Sequence, residues 1–244
     1  MKNSTPDVPE SGTPPPQLLK QRVVLITGAG DGLGRATALA AAGSGAQVVL
    51  LGRTVRKLEA VYDEIEKSGG PAPALYPLNL AGASWHDYGE LAATIEREFG
   101  RLDGIVHCAT QFKQFQPLDD IAPHEWIESL QVNLTGPYAL TRQCLPLLLK
   151  SPDACVVFVT DAVGREPKPF AGAYGAAKAA IENLAAMWTQ ELAQHRNLRF
   201  AAFNPGPMKT GVRLRGYPGE KSAGLPGPEI PAQKILRMLA SALP

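Results

Sequence analysis

Tyr174 and Lys178 lie four residues apart in an alanine-rich stretch that favours helix, so both side chains emerge on one face. A phenol beside an ammonium is a pair suited to proton transfer. A free tyrosine titrates near ~10, and a nearby positive charge lowers that value by favouring the phenolate. Such a pair can give a proton to a carbonyl oxygen while a hydride arrives at its carbon. A second cluster offers a seat for a hydride carrier. Thr27-Gly28-Ala29-Gly30-Asp31-Gly32-Leu33-Gly34 falls between an apolar β-branched run, residues 23–26, and an alanine-rich stretch, residues 35–42. Glycines there let the backbone turn sharply and approach a pyrophosphate, which free N–H groups at a helix N-terminus would then hold.

The elements that must position these groups alternate along the chain. Short apolar runs at residues 23–26, 48–51, 74–76, 105–107, 155–159 and 199–203 read as six strands. Between them lie helical patterns at residues 35–42, 85–99, 125–149 and 173–194, and one opened by Thr54 as cap, with Leu58, Val61, Tyr62 and Ile65 on a shared face. Strands apolar on both faces imply a parallel sheet covered on both sides, hence a single-domain, Rossmann-like, doubly wound α/β fold over residues 21–244. Ligands of such sheets bind at the carboxyl ends of the strands.

Composition narrows the class. The 244 residues are 45% hydrophobic and 19% charged, which suits one folded domain. Twenty-four basic against 23 acidic residues give a formal charge of +1, which argues against nucleic-acid or polybasic membrane binding. Three cysteines without a C-x-x-C pair support neither a disulfide framework nor zinc, and point to a reducing, cytoplasmic setting. No apolar run is long enough to span a bilayer, and no secretory h-region opens the chain. Residues 1–20 are expected to be a flexible tail, five of the first 16 being proline. Residues 205–231, broken by prolines and glycines, are expected to form a mobile lid over the crevice rather than a helix.

The T-G-x-x-x-G-x-G spacing with Tyr174 and Lys178 resembles the short-chain dehydrogenase/reductase family over about residues 21–210. The resemblance implies an NAD(P)(H)-dependent oxidoreductase acting on a carbonyl or alcohol, a small molecule. Tyr174 would be its general acid/base, and Lys178 its electrostatic partner and the holder of the nicotinamide ribose. Asn133, in Val132-Asn133-Leu134-Thr135-Gly136, matches the family's asparagine that supports a water relay to the lysine. Asn204-Pro205-Gly206-Pro207-Met208-Lys209-Thr210 is similar to its P-G segment, in which Pro205, Gly206 and Thr210 would meet the carboxamide. Gly28, Asp31, Gly32, Leu33 and Gly34 would cradle the pyrophosphate, and Asn79, Leu80 and Ala109 would line the rest of the cofactor cleft. The second strand ends Leu51-Gly52-Arg53. No carboxylate stands there to take the adenosine ribose, and the guanidinium suits a 2′-phosphate, so the expected cofactor is NADP(H). A homodimer through the helices at 125–149 and 173–194 is a further family expectation. The family's usual last strand is not expected here, since the helix expected at 234–243 leads straight to Pro244.

Three motifs depart from the pattern. Asp161 stands 13 residues before Tyr174, where the family has its catalytic serine. A serine donates to the substrate oxygen, whereas an ionised aspartate only accepts. At ~5 Å and an effective dielectric of ~20, its charge would oppose the phenolate by roughly 3 kcal/mol, offsetting much of what Lys178 supplies. Three readings stay open: a protonated Asp161 that donates as serine would, a neighbouring hydroxyl such as Thr160 taking the role, or a chain that binds cofactor with little turnover. Cys108-Ala109-Thr110 replaces asparagine-alanine-glycine, and Asn79 replaces aspartate.

Other polar and aromatic groups read as structural. His107 and His124 have no second ligand at metal spacing. Cys108 reads as a small residue lining the cofactor site, Trp85, Trp126 and Trp188 as core or interface anchors, and Lys209, Arg213 and Arg215 as solvated surface.

Overall fold

The computed structural model describes residues 17–240. Six strands, β1 Val23–Thr27, β2 Gln47–Gly52, β3 Ala74–Pro77, β4 Gly104–His107, β5 Ala154–Val159 and β6 Leu198–Phe203, form one parallel sheet in the order β3-β2-β1-β4-β5-β6. The expected doubly wound architecture is therefore present, and among the described residues no strand follows β6. Alternation along the strands sorts the core into two layers. Val24, Ile26, Val48 and Leu50 face helices α1 (Gly32–Gly43), α2 (Val55–Lys67) and α8 (Glu229–Leu239). Val23, Leu25, Val49 and Leu51 face α3 (Trp85–Phe99), α5 (Gly136–Lys150) and α6 (Gly172–Glu191). Helix α4 (Pro123–Leu130) runs into α5 through a π-helical turn at Gln131–Thr135, and a short α7 (Gly211–Gly216) lies beyond β6.

Several boundaries differ from expectation for local reasons. Residues 17–20 do not belong to a tail. Leu19 is fully buried in the α1–α8 layer, and its N–H bonds to the Ser44 carbonyl at 2.9 Å. Residues 1–16 of the expected tail lie outside the described residues. Thr54 does occupy the N-cap of α2, but its side chain makes no capping hydrogen bond. Helix α1 starts at Gly32 rather than residue 35, because Asp31 caps it by accepting from the Gly32 N–H at 2.8 Å. The segment 205–231 is not wholly irregular. Thr210 caps α7 by accepting from the Arg213 N–H at 3.3 Å, which gives six residues enough support to turn. Helix α8 begins five residues before the expected start, and positions 241–243 of the expected helix lie outside the described residues. No helix among the described residues is long and apolar enough to cross a membrane.

The amino-terminal edge of the sheet is tied by Asp103, which is 1% exposed. It accepts from the Val23 N–H at 2.8 Å and the Ser151 hydroxyl at 2.6 Å, and pairs with both arms of Arg101 at 2.8 Å. This knot joins β1, β4 and the start of β5 at the end of the sheet away from the crevice. Asp103→Ala would leave a buried N–H and hydroxyl without acceptors. We expect it to cost about 3 kcal/mol in urea unfolding, with the slope of the transition unchanged.

Candidate functional site

Strand order reverses between β1 and β4, and their carboxyl ends open a cavity of about 620 Å³. Its floor depends on two glycines. Gly28 has φ +67°, and a Cβ on it would lie 2.8 Å from the Ala109 Cα. A Cβ on Gly34 would meet the Gly28 carbonyl oxygen at 2.2 Å. Larger residues at either position would push β1, β4 and the start of α1 apart. The Ala109 N–H donates to the Thr27 hydroxyl at 3.0 Å, which locks the two strand ends side by side.

The expected cofactor residues gather on this cavity. Gly28, Asp31, Gly32, Leu33 and Gly34 line one end, with Arg53, Asn79, Leu80 and Ala109 around them, and Pro205, Gly206 and Thr210 line the lid side. Arg53 is exposed and has no carboxylate partner among the described residues, whereas Arg35, Lys57, Lys113, Arg165 and Arg213 are each paired. The Lys57 ammonium sits on Asp31, and that contact lowers the Asp31 pKa and neutralises the one acid beside the glycine turn. A glycine cradle that tolerates no Cβ and an unpaired guanidinium at the end of β2 fit a dinucleotide with a ribose phosphate.

At the other end stand Tyr174 and Lys178 of α6. Lys178 is 4% exposed and donates to the Val159 carbonyl at 2.8 Å. Burial lowers its pKa to about 8, against smaller opposing pulls from Asp161 and Cys108. Its Nζ lies 5.5 Å from the centre of the Tyr174 ring. The Tyr174 hydroxyl, instead of standing free, donates to Asp161 Oδ2 at 3.0 Å. Burial first, and the Asp161 charge and hydrogen bond next, push the Tyr174 pKa well above its ordinary value. The expectation that Lys178 lowers it is thus reversed, because desolvation and the carboxylate act on the same hydroxyl. Asp161 is held by its own turn, where its Oδ1 accepts from the Val163 N–H at 3.1 Å.

One sequence reading changes here. Thr160 is no substitute for the missing serine: its hydroxyl is buried and donates to Glu182 Oε1 at 2.9 Å. Asn133, expected to support a water relay to Lys178, turns its side chain to the loop after β4. Its side-chain oxygen accepts from the Thr110 hydroxyl at 2.7 Å and the Gln111 N–H at 3.1 Å, while its Nδ2 donates to the carbonyls of Gln111 and Ser129. Thr110, which replaces a glycine, turns its hydroxyl to Asn133 and so strengthens the clamp on the loop after β4. The π-helical turn around Asn133 is what presents that amide to the loop.

Spacing did not reveal the wall over Tyr174. The Phe112 ring lies 4.9 Å from that of Tyr174, Phe115 lies 5.1 Å from Phe112, and Tyr217 lies 5.4 Å from Phe115. The lid carries Tyr217, and Arg215 holds the lid against the loop by donating to the Phe112 carbonyl at 3.1 Å. Gly216 leaves room for the two phenylalanines, since a Cβ there would sit 3.1 and 3.3 Å from them. Only the turn of the lid back onto residues 112–115 brings these rings together. Arg213, read as solvated, in fact pairs with Glu220 through two 2.6 Å bonds and covers the Tyr217 ring, while Lys209 remains exposed.

The remaining singled-out residues are structural. His107 is buried, stacked on Phe158 and bonded through Nε2 to the Thr141 hydroxyl at 2.9 Å. Its Nδ1 has no partner, so it is only half satisfied, and burial lowers its pKa to about 3. Burial also raises the Cys108 thiol to about 12, which makes it a poor nucleophile. Trp188 stacks between Tyr138 and Phe200, Trp85 packs edge-on against Tyr138, and Trp126 is partly exposed on α4. No group of metal-binding side chains occurs among the described residues.

A profile of short chain dehydrogenases matches residues 22–218. The chain is 36% identical over 215 residues to an uncharacterised oxidoreductase, YciK of Escherichia coli K12, covering 88% of this chain and 84% of that one. Its fold is similar to a short chain dehydrogenase structure from Pseudomonas syringae, with TM-score 0.90, 41% identity and coverage of 93% and 92%. It is also similar to one from Escherichia coli CFT073 complexed with NADPH, with TM-score 0.89, 36% identity and coverage of 93% and 94%.

Lys178 is charged below its pKa of about 8 at the expense of burial, while an unfolded lysine stays charged to ~10.4. Between those values the unfolded chain binds more protons, so this group's penalty is full below pH 8 and fades as pH rises towards 10. Lys178→Met is therefore expected to stabilise the protein by about 3 kcal/mol at pH 7, with the gain shrinking by pH 10. Paired melting curves at the two pH values check this.

Proposed function

The chain belongs to the short-chain dehydrogenase family, and we propose that it is an NADP(H)-dependent oxidoreductase interconverting a carbonyl compound and its alcohol. The observation that carries this reading is the placement of Tyr174 and Lys178 at one end of a glycine-floored cavity whose other end holds the unpaired Arg53. When bound, NADP(H) supplies or accepts the hydride. The glycine turn and the start of α1 bind its pyrophosphate, Arg53 meets the 2′-phosphate, and Lys178 and the 205–210 segment position the nicotinamide end. Tyr174 exchanges a proton with the substrate oxygen, and Lys178 offsets negative charge beside it. The aromatic wall of Phe112, Phe115 and Tyr217 excludes water and suits a substrate with an apolar, preferably aryl, body.

A second reading, a cofactor-binding protein with little turnover, draws support from one contact. The Tyr174 hydroxyl is already donated to Asp161, and an ionised carboxylate, unlike a serine, has no proton of its own to offer a substrate oxygen. We also infer a cytoplasmic homodimer. Exposed Trp126 and Ile127 on α4 and Met187 on α6 support pairing through these helices.

Turnover of NADPH with aryl aldehydes, diketones and quinones, and of NADP⁺ with aryl alcohols, separates the two readings when the natural chain is compared with Asp161→Ser. Turnover by the natural chain in either direction supports the oxidoreductase. Turnover by the serine variant alone supports the cofactor-binding protein. Arg53→Ala is expected to weaken NADPH binding by roughly 10- to 100-fold and NADH binding little, as read by cofactor fluorescence.

A further inference from the structure

Asp161 changes which reaction partner the site can greet. Both carboxylate oxygens are acceptors: Oδ1 holds the Val163 N–H and Oδ2 holds the Tyr174 hydroxyl proton. A carbonyl oxygen entering beside Tyr174 therefore finds that proton already committed and no serine to supply another. An alcohol entering at the same place finds the opposite. Its hydroxyl proton meets a lone pair on Tyr174 Oη, and behind that oxygen waits a carboxylate. The surrounding groups keep the arrangement in place. Lys178 of the same helix is tied to the Val159 carbonyl, Tyr217 of the lid and Phe112 of the loop after β4 close over the Tyr174 side, and the Cys108 thiol lies towards Lys178. Lys168 lines the same cavity, and Thr160 is turned away towards Glu182.

We infer that Asp161 is the terminal base of this site, taking the substrate's hydroxyl proton through the Tyr174 hydroxyl and so biasing the enzyme towards alcohol oxidation. This rests on the oxidoreductase reading above. In the step, the alcohol O–H bond breaks as a Tyr174 Oη–H bond forms, while the original Tyr174 proton moves to Asp161 Oδ2. The carbinol C–H bond breaks, its electron pair leaves as hydride to the nicotinamide of NADP⁺, and the carbonyl forms. Asp161 ends as a carboxylic acid and returns its proton to water. Tyr174 passes a proton on and never has to become a phenolate, which removes the conflict between its burial beside a carboxylate and a catalytic role. Run backwards, the same path starts from a protonated carboxyl, a proton that oxidation does not require. Reduction then weakens as pH rises, while oxidation does not.

The test uses the full chain, NADP⁺ with 1-phenylethanol, and NADPH with acetophenone, comparing the natural chain with Asp161→Asn and Asp161→Ser. The asparagine keeps an acceptor for Tyr174 but cannot take its proton. We expect kcat for oxidation by the natural chain to be flat from about pH 6 to 8, and its reduction to fall about tenfold per unit. Asp161→Asn should lose oxidation by about 100-fold or more, with NADPH binding unchanged by fluorescence. Asp161→Ser should oxidise with a rate that rises with pH, since its base would be the phenolate itself. A readout without cofactor runs alongside. The alkaline tyrosinate absorbance step that Tyr174→Phe removes should move to lower pH in Asp161→Asn.

Oxidation retained by Asp161→Asn with the natural pH profile would overturn the assignment and leave the oxidoreductase standing. So would a Tyr174 absorbance step that the substitution does not move. Binding of NADPH with no turnover of either substrate class by the natural chain would overturn both readings together.

Discussion

The close approach of β1, β4 and the first turn of α1 is the constraint on which the rest depends. The gap between the Gly28 carbonyl and the Gly34 Cα leaves no space for a side chain, and Gly28 lies against the backbone of Ala109. That contact fixes where the two halves of the sheet part, and so where the crevice opens. It also aims the free N–H groups of α1 into the crevice, which makes this end of the cavity a place for negative charge. The lone acid at that position, Asp31, is matched by Lys57, and Arg53 is left without a partner. The local field is thus positive at the end where a ribose phosphate would lie.

At the opposite end the balance is reversed. Lys178 is buried at a cost, and its ammonium is oriented by a strand-end carbonyl rather than by the tyrosine hydroxyl. The hydroxyl is instead bound to a carboxylate set on its own short turn. Both contacts follow from where β5 ends. Val159 gives its carbonyl to Lys178, the Thr160 hydroxyl points back to Glu182, and Asp161 is the residue whose side chain meets the Tyr174 hydroxyl. Placing an acceptor at that position, where a donor is usual in the family, alters the proton inventory of the site.

The lid shows how a segment without a strong local preference acquires structure from what it covers. Residues 211–216 contain two glycines and two arginines, and little in them demands a helix. Thr210 starts the turn, Arg213 pairs with Glu220, and Arg215 reaches the Phe112 carbonyl, so the segment settles on the loop after β4. The same loop is held from behind by Asn133, through a bond that Thr110 makes possible and a glycine would not. Lid and loop together set Phe112 against Tyr174, with Phe115 and Tyr217 packed in turn behind it.

Sequence alone made the architecture, the cavity floor and the shared face of Tyr174 and Lys178 legible. All three rest on short-range rules: apolar runs with helices between them, glycines where the backbone crowds, and four-residue spacing on a helix. It also exposed Asp161 as the anomaly, because a motif fixes the residue type wanted at a given offset. Tertiary structure decided the rest. Whether Thr160 or Asp161 faces the cavity depends on how β5 ends. That the Asn133 side chain holds the loop after β4 depends on a π-helical turn and on Thr110, 23 residues away. The aromatic wall joins Phe112 to Tyr217 across more than a hundred positions, and the Tyr174 ionisation is set by burial and by a neighbour on another element. Periodicity records which face of an element is apolar. It does not record which distant segment will cover that face, and desolvation and hydrogen-bond partners are properties of that covering.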